Sequence, residues 1–387
     1  MNNFYRKTFS VVMMFLFSVS LKAQDDLNLN AMLGKIDSSN IFISKEFYNW
    51  GSAVIKGEDG KYHMFYERWP HGRRSLTEDS MNYVFDGFSG WMKYADIAHA
   101  VSDDIQGPYH FVNSVIKGDW DPAKWDRFVM ENPQIRKFGE YYYLYYISNS
   151  YDTNYTNENA KSKELLHWFK YNCTQKIGVI KARNINDFVT GKFEKSVNYI
   201  MAPDNISTFE VTNNPTVTEG PDGKYYMMYK SRKPKGGTMT FWIAKSDKPD
   251  APFTTIAAVF TEPDMACEDP CMWYDKKRKR FYAVAKYFSN SKKLAPQFGA
   301  LILLTSQNGK DWKPAEHSLV SLKELNFRNG KKQDLDRLER PFIVNDTKGN
   351  PIALLAAAAI NNPGKGNIEN LQPEYNSFNV CIPLNKK

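Results

Sequence analysis

One pattern occurs five times along this chain of 387 residues, and it restricts the fold more than any other feature. Each copy opens at a short strand start, passes a glycine-type turn into an aromatic-rich strand, and continues to a third strand and a turn marked by Pro or Trp. The clearest copies are Asn132-Pro133 leading to Gly139-Glu140-Tyr141-Tyr142-Tyr143-Leu144-Tyr145-Tyr146, and Asn214-Pro215 leading to Gly223-Lys224-Tyr225-Tyr226-Met227-Met228-Tyr229-Lys230. Both read as hairpins with period-two alternation around the turn. A first copy runs from Trp50-Gly51-Ser52 to Glu67, a fourth from Glu268-Asp269-Pro270 to Lys286, and a fifth from Glu339-Arg340-Pro341 through Ala358. Repetition at this period means propeller blades or solenoid turns.

Third strands are expected at Ala95 to Ser102, Lys176 to Arg183, Thr240 to Ser246, Gly299 to Ser306 and Ser377 to Pro383. Outer fourth strands fit Tyr109 to Ile116, Phe193 to Ile200, Phe253 to Phe260 and Trp312 to Val320. The fifth unit runs out of chain at Leu384, so its outer strand is expected from Ile41-Phe42-Ile43, which closes the ring and removes an exposed edge. The reading is all-β: a single five-bladed β-propeller over residues 24–387. Strand direction then brings the inner-strand starts, second-strand ends and third-strand starts to one mouth. The longest insertions, Trp69 to Met92 and Ser148 to Gln175, fall on that side and are expected to wall it into a pocket suited to a chain end.

With its Asn-Pro and Asp-Pro starts and Tyr-Tyr-Leu-Tyr-Tyr hairpin, the mature chain resembles the glycoside hydrolase family 43 superfamily of five-bladed propellers. That resemblance implies a general-base Asp opening blade one, a second Asp opening blade two and a general-acid Glu in blade three. The matching places here are Trp50-Gly51-Ser52, Asn132 and Asn214, none of them a carboxylic acid. Glu131, Glu210, Glu268, Asp269 and Glu339 lie near inner strands and offer a relocated acid pair, which glycoside hydrolysis requires.

Alignment on the turns places Glu67, Tyr146, Lys230, Lys286 and Ala356 in one column at the mouth, with His99 entering from a third strand. Catalytic candidates are Tyr146, Lys230, Lys286 and His99. Candidates for holding substrate are Asn132, Asn214, Arg340, Glu268, Asp269 and Trp69, the last as a sugar-stacking platform or a loop anchor. Cations and amides suit a uronic acid, and the first reading is β-elimination at a chain end. A Lys whose pKa is lowered by its neighbour takes the proton beside the carboxylate, and Tyr146 or His99 protonates the leaving oxygen. Such an enzyme is a dehydratase or exo-lyase acting on uronate-containing material, for example sulfated algal polysaccharide of the ulvan type. The alternatives are a family 43-like exo-glycosidase of xylosidase or arabinofuranosidase type, and a glycan-binding propeller without catalysis.

Arg6 and Lys7 ahead of the apolar run Phe9 to Leu21, with Ala23 behind it, read as a signal peptide over residues 1–23. The expected location is periplasmic or secreted, with no membrane span after cleavage. The formal charge is +8, and +5 without Arg6, Lys7 and Lys22. That excess suits an anionic oligosaccharide, whereas no basic block or motif fits nucleic acid. Four cysteines (Cys173, Cys267, Cys271, Cys381) are too few for a disulfide scaffold, and no partner His or Cys pair makes a zinc site. No metal or cofactor is expected, and the protein is expected to be a monomer.

Overall fold

A computed structural model describes residues 26–71, 87–150, 172–233, 237–360 and 376–386. The segment assigned to a signal peptide and the middles of both long insertions lie outside these residues. Five four-stranded antiparallel sheets form the five blades. Blade I is β2 (Phe47–Lys56), β3 (Tyr62–Pro70), β4 (Asp96–Ser102) and β5 (His110–Ile116); blade II is β6 (Glu131–Phe138), β7 (Tyr141–Ser148), β8 (Lys176–Ala182) and β9 (Glu194–Lys195). Blade III is β10 (Phe209–Glu219), β11 (Tyr225–Arg232), β12 (Met239–Ser246) and β13 (Thr254–Val259). Blade IV is β14 (Cys267–Asp275), β15 (Arg280–Tyr287), β16 (Leu301–Ser306) and β17 (Lys313–Ser321). Blade V is β20 (Arg337–Asn345), β21 (Pro351–Ala359), β22 (Ser377–Pro383) and β1 (Ile41–Phe42). A small ribbon of β18 (Glu324–Asn326) and β19 (Lys332–Asp334) stands between the last two blades in sequence.

Burial follows position in the blade. Blades stack face to face, so a second strand is covered on both sides and reads as a continuous apolar and aromatic run rather than an alternation. In β7 every residue after Tyr141 is buried, and β21 is buried at all positions except Ile352. Outer strands such as β5 have mostly exposed or half-buried side chains. The outer strand of blade II is shorter than expected. It pairs only at Glu194 and Lys195, with the chain returning at a Met201 to Ile177 bridge.

The ring closes as the sequence required. Ile41 pairs with Val380 and Phe42 with Asn379, antiparallel, so the N-terminal segment completes the C-terminal blade. Asn40 pins this join: its amide donates to the Cys381 carbonyl at 3.0 Å and its side-chain oxygen accepts from the Asp37 N–H at 2.9 Å. Phe42 meets Tyr66 of blade I edge to face at 4.9 Å.

One backbone device recurs in all five inner strands. Gly51, Asn132, Asn214, Asp269 and Arg340 have φ of 41°, 52°, 53°, 60° and 53°, in the left-handed region. Each sits in a register shift of its strand, between Trp50 and Ser52, Glu131 and Gln134, Asn213 and Thr216, Glu268 and Cys271, and Glu339 and Phe342. Non-glycine residues adopt this conformation at a cost of about 1–3 kcal/mol, and bulges of this kind re-aim side chains beside active sites. The five bulges turn successive side chains of each inner strand toward the axis.

Candidate functional site

The five left-handed residues form a ring around the axis, and hydrogen bonds from blade to blade join four of them, Asn132, Asn214, Asp269 and Arg340. The Asn132 amide donates to Asn214 Oδ1 at 3.2 Å, the Asn214 amide donates to Asp269 Oδ1 at 2.5 Å, and the Arg340 N–H donates to Asp269 Oδ2 at 3.2 Å. The Arg340 guanidinium also lies 3.1 Å from Asp269. The cavity within the ring measures about 20 Å³, room for a water molecule but not a sugar. A ligand the size of a sugar would have to sit outside it.

The residue before each bulge forms a second ring: Trp50, Glu131, Asn213, Glu268 and Glu339. Their partners on the second strands are Glu67, Ile147, Lys230, Lys286 and Ala357. The expected column is therefore corrected at two places, Tyr146 and Ala356, each displaced by one residue. Blade II has one more inner-strand residue between Glu131 and Phe138 than blade I has between Trp50 and Lys56, and in blade V a register shift between Val344 and Asn345 adds one residue to β21. Either change slips the count from the turn glycine by one, which sends the side chain to the other face.

Two electrostatic environments meet in this ring. Glu268 receives Lys230 at 2.8 Å and Lys286 at 2.6 Å, and Lys286 also donates to Glu339 at 2.6 Å. Burial alone would raise the Glu268 pKa, but the two lysines override it and hold the carboxylate well below its ordinary range. Burial pulls Lys286 downward, yet Glu268 and Glu339 raise it further, so it is a fixed cation. This corrects the expectation that a neighbouring lysine lowers the pKa of Lys286. Glu131 is the opposite case. It is 1% exposed, and neither carboxyl oxygen has a donor among the described residues. Burial, then the neighbouring Glu67, push its pKa well above the usual carboxylate range against the pull of Arg340. Burial raises Glu67 too, although Arg340 and the Asn132 N–H, 2.6 Å from Glu67 Oε2, oppose it. Asp269 is raised by burial, with Arg340 pulling the other way.

Around these carboxyl groups lie neutral polar atoms without partners among the described residues: both side-chain atoms of Asn49 and Asn379, and the hydroxyls of Ser148, Thr212 and Ser231. Buried amides and hydroxyls normally find partners, and these five fully buried side chains depart from that rule.

Three expected site residues lie elsewhere. Tyr146 is fully buried, donates its hydroxyl to Asp126 Oδ2 at 2.9 Å, and stacks on Trp125. His99 is not at the rim: its Nε2 lies 2.9 Å from His63 Nδ1, whose ring reaches Asp59 at the blade I turn. Burial and His63 push the His99 pKa down to about 3, which leaves it neutral. Trp69 is 1% exposed, stacked on Tyr48 at 5.5 Å and edge-on to Phe88 at 5.3 Å. With Trp50, Met92 and Phe128 it builds an apolar wall, so its indole anchors the loop rather than facing a ligand. Asn132, Asn214, Arg340, Glu268, Asp269, Lys230 and Lys286 come together at the mouth. Glu67 and Glu131 join them, and the signal for Glu131 was its place immediately before Asn-Pro, which in the bulged strand faces inward.

Among the described residues no group of three His, Cys, Asp or Glu is placed to hold a metal ion, and no helix is long and apolar enough to cross a membrane.

No protein-family model matches the sequence, and no curated protein matches it. Solved structures do. An α-L-arabinofuranosidase from Lactobacillus brevis is 12% identical with a TM-score of 0.54, covering 88% of this chain and 92% of its own. Zg3597, a family 117 glycoside hydrolase from the marine bacterium Zobellia galactanivorans, is 15% identical with a TM-score of 0.55, covering 91% and 89%. CoXyl43, a GH43 β-xylosidase/α-arabinofuranosidase from a compost microbial metagenome, is 12% identical with a TM-score of 0.51, covering 91% and 96%. The chain is a five-bladed β-propeller whose structural neighbours include glycoside hydrolases of families 43 and 117.

Proposed function

We propose that the protein is an exported glycan-acting enzyme that hydrolyses a glycosidic bond at a chain end. The observation that carries this reading is Glu131: a buried carboxyl with no partner among the described residues, kept protonated by burial and Glu67, in the same ring as the ionised Glu268. Carboxyl groups whose surroundings push their pKa values apart mark acid and base assignments. Glu131 gives its proton to the glycosidic oxygen as that bond breaks. Glu339, which spends one oxygen on Lys286 and keeps a 13% exposed side chain, takes the proton of the attacking water. Glu268 stays ionised and stabilises the positive charge on the sugar ring. The apolar wall around Trp69 favours a terminal unit over the middle of a chain.

Elimination from a uronate is the weaker reading, because Lys286 is held protonated by Glu268 and Glu339 and has no lone pair with which to take a proton. The test is to incubate the mature protein with xylo-, arabino- and uronate-terminated oligosaccharides and follow mass and ultraviolet absorbance. Products heavier by one water, with no new absorbance, are expected. Glu131→Gln should lower turnover of the oligosaccharide by about 10²–10⁴-fold, and that of a dinitrophenyl glycoside far less, because that leaving group needs no proton. A conjugated double bond in the product would overturn hydrolysis.

A further inference from the structure

The inner strands run from the mouth described above to the opposite end of the channel, where a second cavity of about 490 Å³ opens. All five blades line it, through Lys56, Arg136, Thr218, Trp273 and Phe342 among others. A cavity of this size fits a monosaccharide or disaccharide. Its walls are aromatic, with Tyr62, Trp273, Tyr274 and Phe342 in the lining.

The charge of this cavity is unbalanced. Arg136 is half-buried across the channel, its guanidinium 4.5 Å from the Phe342 ring centroid. It donates to the carbonyls of Val217, Ile135 and Met272 and to Cys271 Sγ, at 3.3–3.4 Å, and to no carboxylate among the described residues. The other cations of the channel, Lys230, Lys286 and Arg340, each have a carboxylate. Lys56 lies over the Tyr62 ring at 5.5 Å. Lys137 donates to the Tyr142 hydroxyl at 3.2 Å, which in turn donates to Glu58. The carboxylate in the lining, Asp346, is occupied by the N–H groups of Lys348 and Asn350 and by the Asn350 amide. Trp273 is 6% exposed, and its indole N–H is buried without a partner among the described residues. A buried donor without a partner calls for an acceptor, and a partly buried cation without a counter-ion calls for that acceptor to be anionic.

We infer that this lower mouth is a second binding site, for a saccharide unit carrying an anionic group such as a uronate carboxylate. Arg136, Lys56 and Lys137 attract the charge, the Trp273 N–H donates to it, and the aromatic walls face the sugar ring. The site is separate from the carboxyl-lined mouth and does not rest on the proposed hydrolysis. It would hold an anionic glycan on the far face of the propeller.

The test is calorimetric titration of the full mature protein with potassium D-glucuronate, D-glucose and sodium sulfate. Glucuronate is expected to bind, with glucose at least about tenfold weaker because it leaves the cations unmatched. Trp273→Phe removes the N–H while keeping an aromatic ring and should weaken glucuronate about three- to tenfold. Lys56→Ala/Lys137→Ala alters exposed side chains, so it should fold, and it should weaken glucuronate and flatten the salt dependence. Glu131→Gln should leave the binding unchanged. Absence of glucuronate binding, or equal affinity for glucose, would overturn the inference. Sulfate binding as tightly as glucuronate would reduce the site to one for simple anions and overturn its saccharide specificity. Loss of binding in Glu131→Gln with Trp273→Phe unaffected would place the sugar at the upper mouth, refuting this site while leaving the proposed function standing.

Discussion

Replacing Glu131 by Met should make the protein more stable while abolishing its activity. Both carboxyl oxygens are buried without a donor among the described residues, and burial of an unpartnered polar group costs about 1–3 kcal/mol by protein mutational data. Met has a similar volume and no polar atom, so the substitution should recover that cost. The pH dependence gives the argument a second handle. The folded-state pKa of Glu131 is raised above its ordinary value of 4.5, so its contribution to stability is fully present below that value and is lost as pH rises. The gain on substitution should therefore be smallest near about pH 4.5 and larger near about pH 7.5, because only at the higher pH does folding require the carboxyl to bind a proton that the unfolded chain has released. Urea denaturation followed by tryptophan fluorescence, wild type against Glu131→Met at both pH values, reads this directly as a shift in midpoint at unchanged slope. A variant less stable than wild type at both pH values, or a gain that does not change with pH, would refute the reasoning. Stabilisation with loss of function is the signature of a residue kept for chemistry.

Three further outcomes follow from the same geometry. Lys286→Met leaves Glu268 and Glu339 beside each other without their shared cation, and should destabilise by about 3–5 kcal/mol near neutral pH. The loss should shrink as pH falls through the depressed Glu268 pKa, and Lys286→Met/Glu339→Gln should recover part of it in the same denaturation assay. Tyr146→Phe removes a buried hydroxyl bond to Asp126 and should cost about 1–3 kcal/mol, yet leave turnover of oligosaccharide unchanged, since the ring lies outside the mouth. Deleting residues 26–44 strips β1 from blade V and exposes the edge of β22. The truncated chain should melt at lower temperature and run as aggregates on size exclusion.

Much of the architecture could be read along the chain because a propeller repeats a local unit. Each hairpin carries its own turn and alternation, so Tyr141–Ser148 and Tyr225–Arg232 declare themselves without reference to distant residues. The join of Ile41 and Phe42 to the last blade is non-local, but an unfinished blade leaves a single sensible partner, and pairing with Val380 and Asn379 satisfies it. The left-handed bulges were partly legible too. Asn132, Asn214, Asp269 and Arg340 stand before prolines at matching positions, and the structure joins them into one ring.

What the sequence could not decide is which side chains face one another across blades, and so the protonation of the site. One extra residue in the inner strand of blade II moved Tyr146 out of the ring and put Ile147 in its place. Trp69 shares β3 with Glu67 and His99 stands on the neighbouring β4, but both are turned into blade packing, where burial dictates their partners. Lys286 is clamped between carboxylates from two different blades, and Glu131 is isolated beside Glu67 of a third. Sequence composition determined the repeat, the all-β class and the supply of carboxyl, amide and cationic groups. Only the closed ring sets their separations and their burial, and those two quantities decide which carboxyl keeps its proton.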